Sequence, residues 1–333
     1  MIVWVLIITL LLIVSMIWKY LDSFNVPRNQ IKNIHNIEKN EQDFLSENLR
    51  TNTSKKSIDL DLILDWGPWK DWIPAINNPK FIKISQVSTQ SGLWDNTLWI
   101  SLVDNNEQKF YPYSVLYWHE IVNDILWDKS VSVTFCPLCG TAIVYNRKID
   151  WEVRSFGISG KLYESNLLMY DNINESLWSQ SIWTAVVWDD LWSQLEVVKS
   201  DVMSFSQFME NYPKWLVLSE NTWYSRNYAK TPYWNYEIEE DLYFPVQNTD
   251  TKLHQKELMF VLPYKSDSYT FVRSELIKSK EIEYKIWDEI LKIEFINWEI
   301  TAKIDDEIIP GYIEMWFSWF TQNPGNENVW IWE

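Results

Sequence analysis

Short runs of alternating apolar and polar residues, separated by two-residue turns, constrain this chain to antiparallel sheet. Asp150-Trp151 lies between Ala142-Ile143-Val144-Tyr145 and Val153-Arg154-Ser155-Phe156, and Asn297-Trp298 lies between Lys292-Ile293-Glu294-Phe295 and Ile300-Thr301-Ala302. A type I′ turn needs positive φ at both central residues, which makes Asp-Gly and Asn-Gly the expected pairs. Trp stands in the Gly place here, where its side chain meets a steric cost that Gly avoids. Pro213-Lys214-Trp215 and Pro232-Tyr233-Trp234-Asn235 repeat the pattern in other turns.

Composition points the same way. The chain holds 7 Gly and 23 Trp in 333 residues, whereas an ordinary Gly content of about 7% would give about 23. One reading covers both anomalies: many of these Trp are glycines in the living protein, encoded by UGA and translated with the wrong code. The candidates are Trp66, Trp69, Trp72, Trp99, Trp127, Trp151, Trp183, Trp188, Trp192, Trp215, Trp223, Trp234, Trp287 and Trp298. A surface that is truly rich in Trp is the other reading.

The formal charge of −17 excludes nucleic acid as a partner, because no basic surface offsets phosphate repulsion. With 47% apolar residues the chain is neither disordered nor embedded throughout in a membrane.

Four segments are expected. Ile2 to Trp18 is apolar except for Thr9 and Ser15 and ends at Lys19, so residues 1–20 read as an uncleaved transmembrane anchor, with a signal peptide as the rival. Residues 21–57 read as a polar tether, in which His35 is solvated. Residues 58–262 form the main domain and 263–333 a C-terminal partial repeat packed on it. The fold class is a strand-rich α+β domain of two unequal, divergently duplicated halves. Tyr111 to Phe135 resembles Tyr269 to Phe295, and Phe205 and Phe208 correspond to Trp316 and Trp319, which are therefore expected as true core tryptophans.

The chemistry-bearing residues cluster between Trp118 and Gln180. A helix after Pro112 places Val115, Trp118, Ile121 and Val122 on one apolar face, with His119 beside it. Val131 to Phe135 and Thr141 to Tyr145 alternate as strands, so Cys136-Pro137-Leu138-Cys139-Gly140 is a turn between strands rather than the opening of a helix. Such a turn aims both sulfurs at one point, like the knuckle of a zinc ribbon. Three outcomes stay open: a transition-metal site (zinc, copper or iron), a redox-active or structural disulfide, and two plain buried thiols. A metal site would need His119, His254 or a carboxylate such as Glu120 to complete it. The second half passes from Phe295-Ile296 straight into Asn297-Trp298, so whatever the cysteines do is done once.

Ser165, Asn166, Asp171, Trp178 and Gln180 bring polar groups into strand-like sequence. Buried, they line a small-ligand pocket; exposed, they form the wet face of a sheet.

These segments, read in order, resemble the bacterial family known as domain of unknown function 3179 (DUF3179). The likeness rests on Lys70-Asp-Trp-Ile-Pro74, Trp118-His-Glu-Ile-Val-Asn-Asp124, Thr134-Phe-Cys-Pro-Leu-Cys-Gly140, Phe156-Gly-Ile-Ser-Gly160, Met169-Tyr-Asp171, Ser176-Leu-Trp-Ser-Gln180, Tyr224-Ser-Arg226 and Tyr243-Phe-Pro-Val246. The resemblance implies Gly at Trp72, Trp151, Trp183, Trp188 and Trp223, Trp at Trp118 and Trp178, and a globular part held outside the cytoplasm at a membrane. It implies no reaction.

The functional expectation is a metal or thiol site at Cys136 and Cys139, with His119 as third ligand or proton donor, Glu120 as its orienting partner and His254 as a further ligand. The alternative is a non-catalytic module with a structural disulfide, binding a small molecule or protein at the Ser165–Gln180 polar groups.

Overall fold

The computed structural model describes residues 49–331 except 68, 90–97, 105–106 and 212–214. The expected anchor and most of the tether lie outside these residues. No helix among the described residues is long and apolar enough to cross a membrane.

The first half opens with β1 (Ile63–Asp65) and β2 (Phe81–Lys83). A hairpin follows, β3 (Leu98–Asp104) and β4 (Glu107–Pro112), then helix α1 (Tyr113–His119) and a meander of β5 (Ile121–Leu126), β6 (Lys129–Cys136) and β7 (Thr141–Asn146). Six strands then leave this plan: β8 (Lys148–Ile149), β9 (Glu152–Val153), β10 (Phe156–Tyr163), β11 (Asn166–Asp171), β12 (Leu177–Ser179) and β13 (Thr184–Val187). The chain rejoins it through β14 (Glu196–Val198), β15 (Asp201–Ser204), helix α2 (Phe205–Asn211) and β16 (Leu216–Leu218).

The second half runs through the plan again without the six-strand excursion. Its elements are β17 (Leu258–Tyr264), β18 (Asp267–Val272), α3 (Arg273–Ser279), β19 (Glu281–Ile286), β20 (Glu289–Ile296), β21 (Glu299–Ile304), β22 (Glu307–Ile309), β23 (Tyr312–Met315), α4 (Trp316–Gln322) and β24 (Val329–Trp330). From Leu98 to Cys136 and from Leu258 to Ile296 the elements have identical lengths and spacings.

The hydrogen bonds repeat too. Helix α1 ends at Glu120 with φ 53°, and α3 ends at Lys280 with φ 67°. The Glu120 and Lys280 amides donate to Leu116 O and Leu276 O, and their carbonyls accept from the Phe135 and Phe295 amides. Strand order β15-β3-β4-β16 in the first half matches β23-β17-β18-β24 in the second. The halves interlock reciprocally. Strand β23 pairs with β7 at Ile313↔Ala142, and the equivalent elements meet where the Ile300 amide of β21 donates to Asp201 Oδ1 of β15 at 2.8 Å. The expected boundary at 262/263 falls inside β17, because the repeat begins at Leu258.

The halves differ where chemistry is expected. Between β20 and β21 lies only the Asn297–Trp298 turn, with φ of 52° and 69°, as a type I′ hairpin demands. Between β6 and β7 lies Pro137-Leu138-Cys139-Gly140. The excursion strands β10 to β13, with β1, form a separate antiparallel sheet, and this sheet supplies the residues that cover the cysteine turn.

Eight of the fourteen Trp expected to be Gly occupy positive φ: Trp127, Trp183, Trp188, Trp192, Trp223, Trp234, Trp287 and Trp298, at 45–87°. A residue with a Cβ loses about 1–2 kcal/mol in this region. Eight such losses reach the whole net stability of a domain, roughly 5–15 kcal/mol. Trp66, Trp72, Trp99 and Trp151 depart from the expectation: none of them has positive φ, so the backbone does not call for Gly there, and Trp99, like Trp215, is buried among aromatic rings. Trp316 and Trp319 are buried on α4, as expected of core residues.

Candidate functional site

The turn after β6 holds two free, buried thiols, Cys136 and Cys139. The Cys139 amide donates to Cys136 O at 3.3 Å, and the Met315 amide donates to Cys139 O at 2.9 Å, tying the turn to the second half. Gly140 has φ 58°, and a Cβ there would stand 2.9 Å from Met315 Cγ. Only Gly meets both demands.

Two donors converge on the Cys139 sulfur: Asn166 Nδ2 at 2.9 Å and Thr141 Oγ1 at 3.0 Å. The Ser181 amide donates to Asn166 Oδ1 at 3.2 Å, which fixes the amide with its nitrogen toward the sulfur. Gln180 Nε2 donates to Thr134 Oγ1 at 2.8 Å and to Thr141 O at 3.2 Å. Thr141 Oγ1 also lies 3.2 Å from Glu314 Oε1, which accepts from Ser318 Oγ at 2.6 Å. Burial pushes the Glu314 carboxyl up to about 8, so it is a neutral acid at pH 7.

Glu120 stands on the Cys136 side. Its backbone carbonyl holds Phe135, the residue before Cys136, and its Oε1 accepts from Tyr233 Oη at 3.1 Å. Burial raises this carboxyl to about 8. Burial, then the hydrogen bond and charge of Cys139, then the charge of Glu120 push the Cys136 thiol up. The equivalent positions of the second half are Lys280 and Ile296, so the fold itself requires neither the acid nor the sulfur.

His119 is not part of this group. Its Nδ1 bonds Pro74 O at 2.7 Å and its Nε2 bonds Tyr228 Oη at 2.7 Å. A carbonyl can only accept, so Nδ1 carries the proton and Nε2 accepts from the tyrosine. Burial lowers its pKa to about 4, which keeps the ring neutral. With both nitrogens committed, the expected roles as ligand and as proton donor to the cysteines are not realised, and Glu120 orients no imidazole. His254 lies in the loop before β17, where its Nδ1 accepts from the Lys256 amide at 3.2 Å. Among the described residues no group of three or more His, Cys, Asp and Glu is placed to hold a metal ion. The expected set Cys136, Cys139, His119 and His254 is therefore not assembled.

Ser165, Asn166, Asp171, Trp178 and Gln180 are all fully buried, so they are not a wet face, and all but Ser165, whose hydroxyl has no hydrogen-bond partner among the described residues, join buried hydrogen bonds. They do not converge on one point. Asn166 and Gln180 meet at Thr141, whereas Trp178 Nε1 donates to Asp171 Oδ2 at 3.0 Å. Asp171 also caps its own turn by accepting from the Ile173 and Asn174 amides.

The segment between β16 and β17 roofs the cysteine turn. Tyr236 Oη donates to Leu138 O at 2.7 Å, and Tyr233 covers Glu120. Lys256 Nζ fastens this roof by donating to the carbonyls of Tyr236, Glu239 and Asp241 at 2.5–2.9 Å. Sequence reasoning missed Thr141, Tyr233, Tyr236 and Glu314. Only Glu314 carried a signal, as a lone acid inside the apolar run Tyr312 to Trp319.

No curated protein and no solved structure matches the chain. The family profile described as "Protein of unknown function (DUF3179)" matches residues 70–311, which takes in the first half, the cysteine turn and Glu120, and the second half as far as β22. The chain belongs to the DUF3179 family.

Proposed function

We propose that this protein is a membrane-tethered thiol centre, held outside the cytoplasm, in which Cys136 and Cys139 cycle between dithiol and disulfide. The observation that carries the reading is the pair of donors, Asn166 Nδ2 and Thr141 Oγ1, aimed at the sulfur of Cys139. A sulfur that gains electron density as it leaves a disulfide is the acceptor such donors suit. The apolar run Ile2 to Trp18 supports the tether, and disulfides persist in compartments outside the cytoplasm.

Exchange with an external low-molecular-weight disulfide breaks its S–S bond. One cysteine forms a mixed disulfide and one external thiol leaves. The second cysteine then attacks the mixed bond, closing Cys136–Cys139 and releasing the second thiol. The external sulfurs gain two electrons, together with the two protons that the cysteines lose. Glu120, buried beside Cys136, is the group able to hold a proton in transit. A carboxyl poised near 8 is close to the working pH, where proton transfer is most effective.

The test is equilibration in glutathione buffers of graded ratio, with free thiols trapped by alkylation and counted by mass. Both thiols are expected to disappear together at a single midpoint. Two thiols that persist at every ratio sink the proposal. A disulfide that resists reduction throughout is a staple, and the non-catalytic binding module then becomes the better account.

A further inference from the structure

We infer that Trp127, Trp183, Trp188, Trp192, Trp223, Trp234, Trp287 and Trp298 are glycines in the living protein, encoded by UGA, whereas Trp118, Trp178, Trp316 and Trp319 are true tryptophans encoded by UGG.

The backbone separates the two groups. Every member of the first lies at positive φ and no member of the second does. The turns these residues occupy are ones for which Gly is the usual residue. Trp127-Asp128 joins β5 to β6, and Trp287-Asp288 joins β19 to β20 at the equivalent place in the second half. In each pair the first residue alone has positive φ, at 57° and 51°. This is the Gly-first pattern of a two-residue hairpin. Trp298 follows Asn297, both with positive φ, which is the Asn-Gly pattern.

Packing agrees for most members of the two groups. Trp127, Trp192, Trp223, Trp234 and Trp287 are 51–79% exposed, while Trp178, Trp316 and Trp319 are no more than 1% exposed. Trp183, Trp188 and Trp298 are half-buried, as is Trp118, and for these the backbone alone makes the distinction. The side chains of the second group do work that Gly could not. Trp178 Nε1 donates to Asp171, Trp319 Nε1 donates to Ser268 Oγ at 2.9 Å, and Trp118 Nε1 donates to Lys230 O at 3.0 Å. A bulky indole in a left-handed turn has no backbone reason to be there, and the five that point into water have no packing reason either.

The deciding experiment is to read the codons and, independently, to weigh the peptides of the protein isolated from its source cell. UGA with Gly mass at the eight positions, beside UGG with Trp mass at the four, is the expected result. UGG at the eight, Trp mass in their peptides, or UGA spread evenly over both groups overturns it. As a second measurement, a gene carrying Gly codons at the eight positions should give a chain with a higher unfolding midpoint than the Trp form. An equal or lower midpoint counts against the inference whatever the codons show.

Discussion

The carboxyl of Glu314 reaches the sulfur of Cys139 through a single hydroxyl, that of Thr141. One hydroxyl has one proton, so Thr141 can donate to the sulfur or to the carboxylate but not to both. While Glu314 is protonated it can donate to Thr141, freeing the Thr141 proton for Cys139. Once ionised, Glu314 draws that proton to itself. Thr141→Val removes the link and leaves Cys139 with Asn166 alone. A stability loss of about 1–3 kcal/mol is expected from a buried bond left unmade, measured by urea denaturation. The glutathione midpoint should also move toward easier oxidation, because the leaving sulfur has lost a donor. An unchanged midpoint would remove Thr141 from the centre.

Stability should fall between pH 5 and pH 8. Glu120 and Glu314 keep their protons up to about 8 when folded, whereas an unfolded glutamate loses its proton near 4.3. Across that window the native state binds more protons, so each carboxyl removes stability as pH rises, by up to about 1.4 kcal/mol per pH unit. His119, lowered to about 4 by burial, works oppositely between about 4 and 6.5, where only the unfolded chain takes up the proton. Two carboxyls outweigh one imidazole. Below this window Glu175 and Asp190 set the acid limb. Burial pushes both up, but hydrogen bonds from Arg50 and Lys70 to Glu175, and from Arg154 and Asn174 to Asp190, hold both low. Their contribution is present above the ordinary carboxylate range and lost as pH falls through their folded pKa values. Urea midpoints at pH 5 and pH 8 check the sign, and the Glu120→Gln, Glu314→Gln double variant should flatten the difference. A native protein more stable at pH 8 than at pH 5 contradicts the assignment.

His119→Ala should harm folding and leave the thiol chemistry intact. The substitution strips Pro74 O of its imidazole partner and leaves Tyr228 Oη with Thr222 Oγ1 alone, and a buried bond left unmade costs about 1–3 kcal/mol. Denaturation should show the loss while the glutathione midpoint stays in place. A shifted midpoint would restore the imidazole to the centre.

What the sequence made legible was whatever repeats locally. The two-residue alternation of Val131 to Phe135 and Thr141 to Tyr145 located β6, β7 and the cysteine turn between them. The Tyr111–Phe135 likeness to Tyr269–Phe295 is matched by the equal spacings of the two halves. Side-chain direction was not legible. His119 and Glu120 are neighbours in sequence, yet the positive φ at Glu120 ends the helix and sends the two side chains to different partners, Tyr228 and Tyr233. Adjacency alone made them look like one catalytic pair. Tyr233, Tyr236 and Glu314 reach the centre from far along the chain, through an irregular segment and the other half of the repeat, where no periodic signal exists.

Access to the buried thiols should be set by the roof. Lys256 Nζ gathers three carbonyls between Tyr236 and Asp241, and burial lowers its pKa to about 8. Trp66 stacks on Tyr233 of the same segment with ring centroids 6.4 Å apart. Lys256→Met removes all three donations while keeping the apolar stem, so the segment over Leu138 opens more often at similar core packing. Trp66→Gly uncovers Tyr233. Thiol alkylation under native conditions reports the population of open molecules when closing outruns labelling. Each variant should label faster than the parent, and the two together should label fastest, because they loosen different contacts of one cover. Labelling at the parent rate in both single variants would show that the thiols are reached only by global unfolding, and the centre could then exchange with no external disulfide in the folded state.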